Sequence, residues 1–273
     1  MTQQQNIVFI GAGNMASSII GGLVNQGTPA QSITVTDAVE AQRLSVAEKF
    51  GVNAVPENAA AATSADVIVL AVKPNVMQSV CQDIAPVLDA STLLLSIAAG
   101  IRCDSIKSWT GNVAPVVRCM PNTPALVSAG ASALYADEAC SDTQRDSAST
   151  ILSAAGVVCW VDEEAKLDAV TALSGSGPAY FFHLIECMTD AAVEMGLSPE
   201  IAETLAIETA YGAASMARRR ELPPATLREN VTSKGGTTAA ALASFADDQL
   251  PAIVARAMEA ARARANELGK LTE

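Results

Sequence analysis

Three stretches of this 273-residue chain carry residue types and spacings that could do chemistry. The first is Gly11-Ala-Gly-Asn-Met-Ala16, a GxGxxA turn directly after the apolar run Asn6-Ile-Val-Phe-Ile10. Strand, glycine turn and helix in that order suit a pyrophosphate. Gly11 permits the tight turn, Gly13 lets backbone approach the phosphates, and Ala16 allows close helix–strand packing. The second stretch is Ser174-Gly-Ser-Gly177, with Pro178 fitting the first turn of a following helix. Such a loop aims backbone N–H groups and hydroxyls at one spot on the positive end of a helix dipole, a place for a small anion. A hinge between domains is the competing reading. The third, Asn230-Val-Thr-Ser-Lys-Gly-Gly-Thr-Thr238, has the same composition and also feeds a helix. If the second and third converge, they form a pocket suited to a compact carboxylate.

The first stretch has further support along the chain. A second strand, Ile33-Thr-Val-Thr36, ends in Asp37, the usual place for an acidic residue that meets ribose hydroxyls and favours NADH over NADPH. Asp37 and Glu40 also have the spacing of a capping box, and Arg43 one turn further on could approach a 2′-phosphate, so both NADPH and NADH stay open. Ligands of open α/β sheets bind beyond the carboxyl ends of the strands. Lys73-Pro74 and Ala98-Ala-Gly100 follow two more apolar runs, Val67–Val72 and Thr92–Ile97. That position makes Lys73 a cofactor candidate, and the small residues at 98–100 would let nicotinamide and ribose lie against backbone.

What is scarce narrows the chemistry. The single histidine, His183, falls inside a predicted helix amid phenylalanines and reads as a core or interface residue. A histidine proton relay for an alcohol-type dehydrogenase is therefore poorly supported. Reduction of a C=N bond asks for less. The nitrogen can bind already protonated, and hydride goes to the adjacent carbon with no oxyanion to neutralise, so hydroxyls for the nitrogen and backbone donors for a carboxylate suffice. The six cysteines show neither CxxC spacing nor a histidine partner, which predicts free thiols in a reducing cytoplasm and no metal site.

The elements that must position these residues change character along the chain. Eight strand-like runs alternate with helical ones up to Val157–Val161, predicting a doubly wound sheet over residues 1–163. No strand is evident from Glu164 on. Residues 164–273 read as an all-helical domain, and its helices are apolar enough to need a second copy of the chain. Half the residues are hydrophobic and 17 % charged, so a sizeable core is available. The net charge of −12 argues against nucleic acid or an anionic membrane as partner. The N-terminus has no basic segment and no long apolar run, so no secretory signal is expected.

Five motifs, the GxGxxA turn, Ala71-Val-Lys-Pro74, Arg118-Cys-Met-Pro-Asn-Thr-Pro124, Asp168–Tyr180 and Leu227–Thr238, together resemble the pyrroline-5-carboxylate reductases, in the right order over nearly the whole chain. The resemblance implies a Rossmann domain followed by an all-helical domain that interlocks into a homodimer, with larger rings of dimers in some members. It implies reduction of 1-pyrroline-5-carboxylate to L-proline by NADPH or NADH. Carried over by position, Gly11, Ala12, Gly13, Asn14, Met15, Asn58, Ala71, Val72, Lys73, Pro74, Ala98, Ala99 and Gly100 would meet the cofactor, with Asn230 approaching from the helical side. Glu164, Ser233, Gly236, Thr237 and Thr238 would surround the substrate beside Ser174, Ser176 and Gly177, with Thr238 on the ring nitrogen. Two residues depart from the family pattern. Lys234 stands where proline is usual, and Asp37 stands where many members carry a hydroxyl or basic residue. A related reductase of β-hydroxyacids or other cyclic imines, and a non-catalytic dinucleotide sensor, are the alternatives. The β-hydroxyacid class leans on a lysine in the helical domain, and Lys166 and Lys234, the only lysines between residues 108 and 269, fit that poorly.

Overall fold

A computed structural model describes residues 5–270. The reading of the N-terminus above rests in part on residues 1–4, which lie outside that range. The chain forms two compact units, one of residues 5–176 with 261–270 and one of Gly177–Ala260.

The first unit holds one eight-stranded sheet in the order β3-β2-β1-β4-β5-β6-β7-β8. Its elements run β1 (Ile7–Ile10), α1 (Asn14–Asn25), β2 (Ile33–Thr36), α2 (Glu40–Phe50), β3 (Asn53–Ala54), α3 (Asn58–Ala62), β4 (Val67–Leu70), α4 (Pro74–Ile84) and β5 (Leu93–Ser96). There follow α5 (Cys103–Trp109), β6 (Val116–Met120), β7 (Gly130–Ala136), α6 (Asp142–Ser153), β8 (Gly156–Trp160) and α7 (Lys166–Val170). All neighbours pair parallel except β6 with β7. The apolar runs become strands because helices cover both faces of a mostly parallel sheet, which buries every side chain of β1, β4 and β5. Phe9, Ile19 and Leu95 lie fully buried on one face, and Ile68, Leu94 and Ile106 on the other. Each such side chain stabilises the fold by about 1.5–3 kcal/mol. Strand order reverses between β1 and β4, so the ligand crevice of this architecture lies above their carboxyl ends.

By packing, the first compact unit runs on to Ser176 and the second begins at Gly177. The reason is that α7 and the turn after it stay with the sheet. Leu167 is buried, and Asp168 Oδ2 accepts a hydrogen bond from Asn266 Nδ2 at 3.2 Å.

The second unit is helical, as expected. It contains α8 (Gly177–Glu194), α9 (Pro199–Arg218), α10 (Pro224–Asn230), α11 (Thr237–Asp247) and the first half of α12 (Leu250–Lys270). Ser198 caps α9, its hydroxyl accepting from Ile201 N–H, and Pro199 takes the first helical position. Within one chain this unit leaves Phe181, Phe182, Met195 and Tyr211 between 65 % and 84 % exposed, the pattern of a surface that needs a partner. Of the two readings of His183, core or interface, the first does not hold within this chain: its side chain is 75 % exposed and its Nδ1 lies 3.1 Å from Glu186. Among the described residues no helix is long and apolar enough to cross a membrane.

Candidate active site

The glycine turn is built by close backbone approach. Gly11 N–H donates to Thr36 O at 2.8 Å and Ala71 N–H donates to Ile10 O at 2.8 Å, which draws the ends of β2 and β4 against the turn. Gly11 has a φ of +107°, and a β-carbon there would lie 2.6 Å from Ala71 O. Only glycine fits. Gly13 differs, for a β-carbon there would meet no protein atom within 4 Å. The fold itself does not demand glycine at 13; the open space suits a ligand brought against the backbone. Gly13 is also the N-cap of α1, with no side-chain cap and no acidic residue in the first turn, so the first N–H groups of this twelve-residue helix are left for an anion. A cleft of about 410 Å³ opens from this turn between α1 and α2, lined in part by Ala12, Gly13, Asn14, Ser17, Gln42 and Lys49.

Asp37 sits beside the turn and does more than its spacing suggested. Its Oδ2 accepts from Ala12 N–H and its Oδ1 from Val39 N–H, both at 2.8 Å. The capping box is not formed; Val39 is the N-cap of α2, without a side-chain cap bond. Arg43 is buried, and its Nη1 donates to the Asp37 carbonyl at 2.8 Å. The carboxylate thus anchors the glycine turn to the end of β2 and keeps spare acceptor capacity, since each oxygen has two lone pairs. Thr36 Oγ1 donates to Asn58 Oδ1 at 2.7 Å, which places Asn58, the first residue of α3, at the same strand end. Lys73, exposed, is the N-cap of α4 with Pro74 at its first position. After β5, Ala98 is buried, Ala99 exposed, and Gly100 takes a φ of +77°. The structure therefore brings Gly11–Met15, Asp37, Asn58, Ala71–Pro74 and Ala98–Gly100 together at the carboxyl end of the sheet.

Glu164 lies on this unit as well. Its Oε1 accepts from Arg118 Nη1 and from Cys103 N–H, both at 2.7 Å, and both side chains are largely shielded from water. An ion pair of this kind, charge-assisted on both sides, fixes the α7 end against β6. Arg118 belonged to a quoted motif without a role; its pairing across 46 residues of sequence was not legible. Burial pushes the thiols of Cys81, Cys119 and Cys140 up to about 12 and raises that of Cys103, so none of the four is poised as a nucleophile.

The stretch 174–177 is not the loop that was expected. Residues Thr171–Gly175 form a π-turn that continues from α7, and Ser176 N–H donates to Thr171 O at 2.8 Å. The Ser174 hydroxyl donates to Val170 O at 3.1 Å. An open array of N–H donors therefore does not exist at Ser176. Single π-turns inside helices are nonetheless frequent at functional sites.

In the second unit, Asn230 is the last residue of α10 and residues 231–236 make the expected turn into α11. Gly236 N–H donates to Ser233 O at 3.0 Å, Gly235 takes a φ of +73°, and a β-carbon on Gly236 would collide with the Ser233 hydroxyl. Gly236 is the N-cap of α11 and no side chain caps it. Thr237 and Thr238 open that eleven-residue helix, with Thr238 half-buried. The helix now starts two residues earlier than its alanine run suggested.

Residues 164–268 match the family model described as pyrroline-5-carboxylate reductase dimerisation, and residues 6–100 match that of NADP oxidoreductase, coenzyme F420-dependent. Pyrroline-5-carboxylate reductase of Pseudomonas aeruginosa is 52 % identical over 264 residues, 97 % of either chain. The chain belongs to the pyrroline-5-carboxylate reductase family. The family's plant members are also similar, that of Glycine max at 36 % identity over 95 % of this chain and 94 % of its own. Among solved members, the Coxiella burnetii enzyme superposes with a TM-score of 0.95 at 40 % identity, covering 97 % of this chain and 99 % of that one. The Plasmodium falciparum enzyme, solved with NADP bound, gives 0.85 at 30 % identity over 98 % and 100 %.

Proposed function

We propose that the chain reduces 1-pyrroline-5-carboxylate to L-proline with NADPH or NADH, the last step of proline biosynthesis, as a homodimer in the cytoplasm. Family membership over 97 % of the chain carries this reading. The open space at Gly13 and the uncapped start of α1 fit the dinucleotide, which supplies hydride to the C=N carbon. Gly11 to Met15 hold its pyrophosphate, Asp37 its ribose, and Asn58, Ala71 to Pro74 and Ala98 to Gly100 the rest, with Asn230 on the helical side. Ser233 and Thr237 present hydroxyls, and Thr237 its backbone N–H, at the start of α11, where Gly236 closes the turn by donating to Ser233 O, an arrangement suited to the substrate carboxylate. The Thr238 hydroxyl holds the ring nitrogen, and Glu164, Ser174, Ser176 and Gly177 border the ring. Lys234 adds a cation beside that carboxylate. The nitrogen binds protonated, so hydride transfer leaves the neutral amine and no residue has to donate a proton in that step. Buried thiols at Cys81, Cys103, Cys119 and Cys140 suit a reducing compartment.

The purified protein given pyrroline-5-carboxylate should oxidise NADH or NADPH, followed by loss of nicotinamide absorbance, with proline as product. Absence of turnover with both cofactors would overturn the reading, and tight dinucleotide binding without turnover would favour a sensor. The same assay tests Asp37. Asp37→Ser is expected to raise the NADPH to NADH ratio of kcat/KM about tenfold, equal to roughly 1.4 kcal/mol of discrimination. Both cofactors should also bind more weakly, because Ala12 N–H loses its acceptor. An unchanged ratio would leave Asp37 as an anchor of the turn alone.

A further inference from the structure

The motif Met120-Pro-Asn-Thr-Pro124 has no assigned role, yet Asn122 touches the π-turn. In an uninterrupted helix, Ser174 O would accept from the N–H four residues later. That residue is Pro178, which has no N–H. Asn122 Nδ2 instead donates to Ser174 O at 3.0 Å. Its other end is fixed as well, for Oδ1 accepts from Ala131 N–H at 2.8 Å at the start of β7. That second bond decides the orientation of the amide and aims the NH₂ at the carbonyl. Gly175 completes the contact, since a β-carbon there would collide with Met120 Cε. One loop of the sheet unit thus grips the π-turn at two adjacent residues.

We propose that Asn122 is a positioning residue for the reaction. It substitutes for the hydrogen bond that Pro178 cannot give, and so holds Ser174, Ser176 and Gly177 in the π-turn geometry that presents them to the substrate. The extra residue of a π-turn rotates everything after it by about one residue's worth of helix, roughly 100° at 3.6 residues per turn, so a relaxed turn would re-aim these groups. The inference rests on the reading that these residues border the imine.

The test compares Asn122→Ala, Asn122→Asp and the double variant Asn122→Ala/Pro178→Ala with the wild type. Asn122→Ala should lower kcat/KM for pyrroline-5-carboxylate at least tenfold while the dissociation constant for the dinucleotide stays within about twofold. Asn122→Asp keeps the acceptor for Ala131 but sets a carboxylate against the Ser174 carbonyl, and should fall at least as far. Adding Pro178→Ala returns an N–H to residue 178 and should recover most of the activity lost in Asn122→Ala, a rescue that a general loss of stability would not show. Near-normal kcat/KM in both single variants, or no recovery in the double one, overturns the proposal. Amide exchange of residues 171–178 should rise in the single variants and fall back in the double one. Wild-type turnover tests the underlying reading separately, so a failure of that reading and a failure of the Asn122 bond are distinguishable.

Discussion

Gly11→Ala is expected to raise the dissociation constants for NADH and NADPH on the order of a hundredfold and to lower the melting temperature. The alanine β-carbon would have to lie 2.6 Å from Ala71 O, 2.8 Å from Ala71 C and 3.2 Å from Val72 N. All three are backbone atoms of the neighbouring strand end, so no side chain can rotate away. The φ of +107° adds strain of about 1–3 kcal/mol for any residue with a β-carbon. Relief requires the ends of β1 and β4 to part or the turn to shift, and either displaces the N–H groups of α1 from the phosphates. Gly13→Ala separates fold from ligand. Its β-carbon meets nothing in the protein, and its φ of −70° is ordinary, so the melting temperature should hold while dinucleotide binding falls. Titration calorimetry beside a thermal melt checks both. Wild-type affinity in Gly11→Ala, or a large stability loss in Gly13→Ala, would contradict the division of roles between the two glycines.

That division was legible in part from sequence. The central strands were readable because buried parallel strands are nearly continuous apolar runs, and Val67–Leu70 and Leu93–Ser96 lie in such runs. The turn after β1 was readable because its glycines sit at fixed offsets between a strand and a helix. Asp37 was placed correctly at the end of β2, but its two backbone bonds depend on how closely that end approaches a turn 25 residues away. Local spacing suggested a capping box instead. Ser174-Gly-Ser-Gly177 shows the opposite failure. Glycine costs a helix about 1 kcal/mol, and serine competes for backbone bonds, so the segment reads as a loop. Packing overrides that preference. Asn122 takes the Ser174 carbonyl, Met120 covers Gly175, and α7 runs through the π-turn into α8. The available signal was Pro178, which marks Ser174 as a carbonyl in need of an outside donor. The Arg118–Glu164 pair left no local trace, because opposite charges 46 residues apart have no spacing rule.

Thr238→Ala is expected to lower turnover of pyrroline-5-carboxylate on the order of a hundred- to a thousandfold with dinucleotide affinity nearly kept. The estimate follows from the usual cost of removing one preorganised donor or acceptor from a reacting group. Thr238 is the second residue of α11 and half-buried, and it belongs to a different compact unit from the turn at Gly11–Met15. Its hydroxyl is assigned to the ring nitrogen alone, so the loss should fall on the chemical step and on substrate binding. Unfolding cannot account for it, because alanine is the better helix former at that position by some tenths of a kcal/mol. Thr238→Ser, which keeps the hydroxyl and gives up one methyl group, should recover most of the rate. Thr237→Ala supplies the contrast, for a residue assigned to the carboxylate should raise KM more than it lowers kcat. The measurement is a steady-state series at saturating dinucleotide, paired with direct titration of NADH and NADPH. An equal loss of dinucleotide binding in Thr238→Ala would move this residue to the cofactor. Full turnover without the hydroxyl would mean that the protonated nitrogen needs no holder beyond the backbone donors at the start of α11.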